Sequence, residues 1–208
     1  MNREMFMRDY WAYYLMLEEK FIHTTNYVIL SIDNDNAYSN EYAALMQMIG
    51  GELDSFFKVY CGYAPTDFKK ISDYYMYLMQ DYPDVLNQKI NVRSADIIFQ
   101  PFAGWDGARA KQSLPWWMAF DNIKHSRAVN KRDANQKNTL YLLGALYLLE
   151  MKYLKNITEG SRNRDIPDDG SRLFELLDWK TRFEDLSHMY GLVVQNLSDS
   201  EEAATFNN

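Results

Sequence analysis

The densest group of chemically capable side chains is the segment from Asp121 to Arg127, which reads DNIKHSR. On a helix, Asp121 and His125 are four residues apart, so the carboxylate can pair with the imidazole and hold it in place. Lys124 and Arg127 lie three residues apart on an adjacent face. A histidine beside cations suits metal-free RNA cleavage, because the imidazole moves a proton while a cation stabilises the charge on phosphate.

This cluster supports two interpretations. In the first, His125 is the acid–base group, Asn122 orients the substrate or the histidine, and Arg127 completes the catalytic set. Lys124 and Arg127 then hold phosphate, and the partner is RNA. In the second, the same side chains form a structural polar network that fixes the register of packed helices, and the protein is a non-enzymatic interaction protein or scaffold. The sequence leaves both interpretations open.

A candidate partner for the cluster is Glu52, on the edge of the apolar stripe of a predicted helix. An unpaired carboxylate in such a position is costly, so Glu52 needs a donor. We expect it to accept a hydrogen bond or an ion pair from Asn122, His125 or Arg127, and we add it to Lys124 as a substrate-binding candidate.

Signatures of other catalytic sites are missing from the sequence. It has no glycine-rich phosphate loop, no HExxH, no CxxC and no GxSxG. The histidines, His23, His125 and His188, lie far apart and lack the spacing of zinc ligands. We therefore predict neither a metal site nor a cofactor.

Cys61 is the sole cysteine, so no disulfide can form within the chain. Its neighbours Tyr60 and Gly62 are not basic, and basic neighbours are what would activate a thiol as a nucleophile. We expect a buried thiol in a reducing compartment, in agreement with a cytoplasmic location.

The charge of the chain is unevenly distributed. The net charge of −7 argues against bulk, non-specific binding of nucleic acid. From Arg109 to Asn138, however, the sequence has seven Lys and Arg against two Asp. This segment forms either a local basic surface that can meet a phosphate or a solvated helical face.

The chain carries no pattern typical of a membrane protein. Its first residues, MNREMFMRDY, carry charges of both signs and differ from a signal peptide. The most apolar stretch, Leu140–Leu149, is too short to span a bilayer, which takes about 20 residues. We predict that it is a core helix because apolar residues cover all its faces.

Apolar residues spaced by three and four predict that most of the chain is helical. The predicted helices cover about residues 3–31, a segment capped by Ser39, residues 66–81, a segment from Pro115 to Arg127, and residues 134–155. Residues 88–105 instead alternate apolar and polar positions and contain Pro101 and Gly104, which predicts two short strands or an extended arm.

Towards the C-terminus the pattern is weaker. Residues 173–179 suggest a short helix, residues 188–197 a helix or a strand, and residues 198–208 a disordered tail. The predicted fold class is therefore all-α, a helical bundle in one domain over residues 1–197 with a small extended or β insertion near 88–105.

Several stretches resemble a known family. LPWWMAFDNIKHSR, followed by NTLYLLGALYLLEMKYL, is similar to uncharacterised bacterial proteins of the HEPN type, which commonly have a tryptophan before a Tyr-Asn-x-x-Lys-His-x-Arg motif. YSNEYAALMQMIGGELDSFFK resembles their second helix, with an acid that matches Glu52, and IIFQPFAGW resembles the segment before the tryptophan. The resemblance covers roughly residues 10–155.

This resemblance implies a helical bundle that often forms a homodimer, with the polar motif near the dimer cleft. Active HEPN proteins are metal-independent ribonucleases of toxins and phage-defence systems, and other members are non-catalytic scaffolds or binding modules. Their usual motif has an arginine and a polar residue before the histidine. Here Asn122 matches the polar element, while Arg127 follows His125.

Overall fold

Helices make up most of the structure, a computed structural model that describes residues 1–181. The helices are α1 (Arg3–Phe6), α2 (Ala12–Thr24), α3 (Asn40–Tyr60), α4 (Ile71–Asp81), α5 (Pro115–Ser126) and α6 (Gln136–Ile157). The predicted segment 188–197 and tail 198–208 lie outside the described residues. The expectation of a mostly helical fold is confirmed.

A small antiparallel sheet accompanies the helices. Its strands are β1 (Ile90–Val92), β2 (Ile97–Phe99) and β3 (Phe174–Leu176), in the order β2-β1-β3. Ile90 pairs with Phe99 on one side and with Leu176 on the other. The two strands predicted within 88–105 are thus confirmed, whereas the third comes from a distant part of the chain.

The prediction of a short helix over 173–179 is wrong, because residues 174–176 form β3. Phe174 and Leu176 are buried and Glu175 between them is exposed, a period of two that suits a strand. Only three residues carry this alternation, too few to distinguish a strand from a helical turn before the pairing partner is known.

The N-terminal helix is shorter than predicted. α1 continues into α2 through a π-helical turn at Met7–Trp11, and α2 ends at Thr24 rather than near residue 31. The Thr24 hydroxyl donates to the Phe21 carbonyl at 2.6 Å and the Thr25 hydroxyl to the Ile22 carbonyl at 2.7 Å. Such hydroxyls bend the last turn and favour an end to the helix.

α6 is the central helix, since it packs against α2, α3 and α5. Residues 142–150 of α6 are all buried, which confirms the predicted core helix at Leu140–Leu149. α3 begins as predicted, because the Ser39 hydroxyl accepts a hydrogen bond from the Tyr42 amide at 3.0 Å. Across residues 1–181, no helix combines the length and the apolar character needed to cross a membrane.

α4 begins at Ile71, five residues after the predicted cap at Thr66. Asp73 starts the helix instead, since its carboxylate accepts a hydrogen bond from the Lys70 amide at 2.8 Å. The preceding turn is closed by Asp67, whose carboxylate accepts from the Ala64 amide at 3.1 Å. Residues 66–70 are therefore a loop rather than a helix.

A buried carboxylate, that of Glu18 on α2, holds the segment that leads into β3. It accepts hydrogen bonds from the Tyr14 hydroxyl at 2.7 Å, the Arg172 amide at 2.9 Å and the Leu173 amide at 3.3 Å. The Ser171 hydroxyl also bonds to it. Glu18 thus joins the first long helix to the last described strand.

Candidate functional site

The candidate site is built on α5. Pro115 occupies its first turn, and Trp116, Trp117 and Phe120 are buried, so the N-terminal part of the helix is fixed in the core. A Cβ atom at Gly50 of α3 would lie 2.3 Å from Cδ2 of Phe120. The absence of a side chain at Gly50 therefore lets α3 and α5 approach closely.

The C-terminal turn of α5 opens onto a cleft of about 610 Å³. Lys124 and His125 line one side of it, α3 contributes Asp54 and Lys58, and the loop before α4 forms another wall. The charged lining comprises five lysines and three aspartates: Lys58, Lys69, Lys70, Lys111, Lys124, Asp54, Asp67 and Asp121. The cleft therefore carries a positive balance on a chain of net charge −7.

His125 is accessible from this cleft, because its side chain is 67% exposed. Its Nε2 lies 3.5 Å from Oδ1 of Asp121, so the predicted pair is confirmed. The other carboxylate oxygen of Asp121 accepts a hydrogen bond from Nζ of Lys111. Asp121 thus holds a lysine and the histidine on the same wall of the cleft.

Most of the cleft lysines keep their positive charge unpaired. Nζ of Lys58 donates to the Pro65 carbonyl at 3.1 Å, and Nζ of Lys69 lies 4.1 Å from the centre of the Tyr63 ring. Neither partner is anionic. Among residues 1–181, Lys111 alone of the five pairs with a carboxylate. A cleft whose ammonium groups mostly lack an anionic partner attracts an anion.

Asn122 and Arg127 do not join Lys124 and His125 in the cleft. Nδ2 of Asn122 donates to Oδ2 of Asp133 at 2.8 Å, beside the start of α6. Nη1 of Arg127 donates to Oδ1 of Asn40 at 3.2 Å, at the start of α3. The predicted cluster is thus divided between a half that lines the cleft and a half that ties α5 to its neighbours.

The prediction that Glu52 contacts Asn122, His125 or Arg127 is wrong. Within the described residues, Glu52 makes neither a hydrogen bond nor an ion pair with any of the three donors. Glu52 follows Gly50 by two positions, which places it about 200° around α3 from the face that meets α5. It lies instead near Glu150, whose pKa is raised by burial and further by the charge of Glu52. Burial also raises the pKa of Glu52 itself.

The carboxylate of α3 that does face the cleft is Asp54. It follows Gly50 by four positions, so both lie on one face of the helix. Its Oδ1 accepts a hydrogen bond from the Tyr74 hydroxyl at 3.2 Å, which links α3 to α4. Gly50 is visible in the sequence as a position without a side chain, but the sequence does not show that it meets Phe120 of α5.

The sequence does not predict that residues 67–70 form a wall of the cleft. The sequence predicts a helix from Thr66 there, whereas the structure has a loop that brings Lys69 and Lys70 to the cleft. The Phe68 side chain before them is 88% exposed. The sequence does place an aromatic residue next to two cations, a combination that also occurs in grooves that bind single-stranded nucleic acid.

Metal-binding residue types and the cysteine are the other candidates for chemistry in the sequence. Within residues 1–181, His, Cys, Asp and Glu side chains form no group of three that could hold a metal ion. Cys61 is buried, and burial, with a smaller contribution from Asp81, raises the pKa of its thiol to about 12.

Comparisons of the chain with models of known families, with curated proteins and with solved structures find no match.

Proposed function

We propose that the protein binds RNA in the lysine-lined cleft at the C-terminal end of α5. The observation that carries this proposal is the convergence of four lysines without a carboxylate partner in residues 1–181: Lys58, Lys69, Lys70 and Lys124. Ammonium groups hold phosphate as point charges, and a row of phosphates suits a cleft with several of them. The resemblance of DNIKHSR to the HEPN motif supports the same ligand.

The proposal extends to metal-independent cleavage of the bound strand by His125. Its imidazole accepts the proton of a ribose 2′-hydroxyl, whose oxygen attacks the adjacent phosphorus. The bond from phosphorus to the 5′-oxygen breaks, and that oxygen takes a proton from water. Lys124, the neighbour of His125 on the cleft wall, stabilises the charge that develops on the phosphate oxygens.

The test is an RNA-degradation assay with a chelator, run on the wild-type protein and on His125→Ala. We expect the variant to lose cleavage by roughly 10²- to 10⁴-fold, which is the usual contribution of an acid–base group. Its melting temperature should stay nearly unchanged, because the side chain is mainly exposed and, among residues 1–181, forms an ion pair with Asp121 alone.

His23→Ala is the matched control, because His23 is also exposed and lies outside the cleft. Equal cleavage by His125→Ala and wild type would reject the acid–base role of His125. Binding of RNA without any cleavage would leave the protein as an RNA-binding module. A wild-type protein that binds no RNA at low salt would reject the proposal as a whole.

The second candidate function is a non-enzymatic helical interaction protein. It is favoured by the hydrogen bonds from Asn122 to Asp133 and from Arg127 to Asn40, which use half of the cluster to tie α5 to its neighbours. We expect Asn122→Ala to lower the free energy of unfolding by roughly 1 kcal/mol, the usual cost of a lost hydrogen bond. Urea denaturation measures this cost. If Asn122→Ala lowers stability while wild-type protein neither binds nor cleaves RNA, this second function is preferred.

A further inference from the structure

The loop before α4 presents an aromatic ring beside the cleft lysines. Phe68 is 88% exposed, the highest fraction among the exposed large aromatic side chains of residues 1–181. Lys69 and Lys70 follow it directly, and all three residues line the same cleft. The loop therefore offers an exposed apolar ring in the lining that also contains Lys69 and Lys70.

The conformation that exposes Phe68 is held at both ends of the loop. Before it, the Asp67 carboxylate accepts from the Ala64 amide at 3.1 Å. After it, the Asp73 carboxylate accepts from the Lys70 amide at 2.8 Å. The backbone that carries the exposed ring is thus held in place, so binding to the ring costs less backbone entropy.

An exposed phenylalanine with adjacent lysines matches the chemistry of an unpaired nucleobase and its phosphates. Aromatic side chains stack on bases of any sequence, while cations follow the backbone. In a duplex the base faces are covered by their neighbours, so a protein ring reaches a base face without the cost of unstacking only when the strand is unpaired. The cleft alone recognises phosphate, and Phe68 adds a requirement for a free base.

We propose that Phe68 stacks on an unpaired base of the strand held in the cleft, so that the protein selects single-stranded RNA over duplex RNA. This inference rests on the proposed RNA-binding function and defines its ligand class. Phe68 contacts the base and the lysines contact the phosphates. Experiments can therefore measure the two contributions separately.

The experiment measures fluorescence anisotropy with three labelled probes of roughly 10 nucleotides, a length within the range that one cleft of this kind binds. The probes are oligouridylate, a strand of equal length without bases, and a duplex. We expect Phe68→Ala to weaken the binding of oligouridylate by roughly 5- to 150-fold, the range given by the loss of one stacked base. Binding of the strand without bases and of the duplex should not change.

Phe68→Tyr should retain the affinity for oligouridylate, because it keeps the ring. Tyr27→Ala is the matched control, since Tyr27 is another exposed aromatic residue, 79% accessible, that does not line this cleft. The melting temperature of each variant shows whether it is folded.

The outcomes separate the two proposals. If wild-type protein binds oligouridylate and Phe68→Ala binds it equally well, the stacking role is overturned and the RNA-binding function stands. An equal loss for the strand without bases would also overturn stacking. If wild-type protein binds none of the probes at low salt, both proposals fail.

Discussion

At the scale of single residues, the carboxyl group of Glu150 lies in the core without a hydrogen-bond partner among residues 1–181. Burial raises its pKa well above the ordinary value of 4.5, and the charge of nearby Glu52 raises it further. A carboxyl group with a raised pKa binds its proton more tightly in the folded than in the unfolded chain. Its protonation therefore stabilises the fold, and deprotonation at higher pH weakens it.

We expect Glu150→Gln to be more stable than wild type at pH 8 and the difference to shrink as the pH falls. Above the unfolded pKa, the stabilisation by the proton is lost with rising pH, at up to about 1.4 kcal/mol per pH unit, until the folded pKa is passed. Glutamine carries no ionisable proton, so the stability of the variant lacks this dependence on pH.

Urea denaturation between about pH 5 and pH 8 measures this difference. Glu159→Gln is the control, because Glu159 is exposed just after the end of the same helix. A wild-type protein that matches Glu150→Gln at every pH would contradict the raised pKa.

At this scale the sequence predicts contacts within a helix and misses contacts between elements. The pair of Asp121 and His125 follows from a spacing of four, which any helix brings together. The position of Glu52 on the edge of a stripe is also visible, but the side on which it lies depends on how α3 packs. Asn122 finds its partner 11 residues further along, across a loop that the sequence does not orient.

At the scale of elements, the Gly50–Gly51 pair shows how the site depends on the packing of α3 against α5. Gly50 faces Phe120, and a Cβ atom there would lie 2.3 Å from its ring. A Cβ atom at Gly51 would have no neighbour within 4 Å. The packing therefore excludes a side chain at Gly50 and leaves room for one at Gly51.

We expect Gly50→Ala to lower the free energy of unfolding by about 1–3 kcal/mol, because the added methyl overpacks the contact between α3 and α5. Gly51→Ala should raise it by about 0.5–1 kcal/mol, because alanine favours the helix and meets open space. Urea unfolding of the two variants measures both signs. If both substitutions stabilise, the close approach of α3 to α5 is refuted.

Elements with local start signals are predictable from the sequence. Ser39 before α3 and Pro115 in α5 act through their own backbone neighbourhood, so the sequence alone places those helix ends. Thr66 is a residue type that commonly caps helices, so the sequence predicts that α4 starts there. That prediction is wrong. The carboxylate that does start the helix, that of Asp73, lies inside the first turn and bonds back to the Lys70 amide.

β3 lacks a local signal of this kind, because it depends on β1 as its partner. Glu175 of β3 pairs with Asn91 of β1, although the two residues are far apart in the chain. Nothing within the short segment around residue 174 indicates this pairing. The helix predicted there is wrong for that physical reason.

At the scale of the whole molecule, a positive cleft lies on a chain of net charge −7. The acidic remainder repels a polyanion that approaches elsewhere, while the cleft lysines attract it. Binding through phosphates should therefore be local and strongly dependent on salt. The segment from Arg109 to Asn138 indicates part of this surface in the sequence, but the lysines before α4 join it only in the fold.

We expect the affinity for single-stranded RNA to fall linearly with salt on logarithmic axes, with a slope that counts phosphate contacts. Lys70→Gln should make this slope shallower by roughly 0.7, the contribution of one contact to a single strand. Lys20→Gln is the control, because Lys20 is exposed on α2 and does not line the cleft. Identical slopes for both variants and wild type would show that Lys70 contacts no phosphate.

The hydrogen bonds of Glu18 have a consequence for synthesis on the ribosome. Glu18 and the Leu173 amide are separated by 155 positions in the chain. At a translation rate of roughly 5–20 residues per second, α2 emerges about 8–30 s before this partner is made. During that interval the carboxylate of Glu18 stays hydrated, so the nascent chain cannot complete the core around α2. Ribosome-bound fragments that end before residue 171 should consequently be cleaved by proteases near Glu18, where the finished protein is resistant.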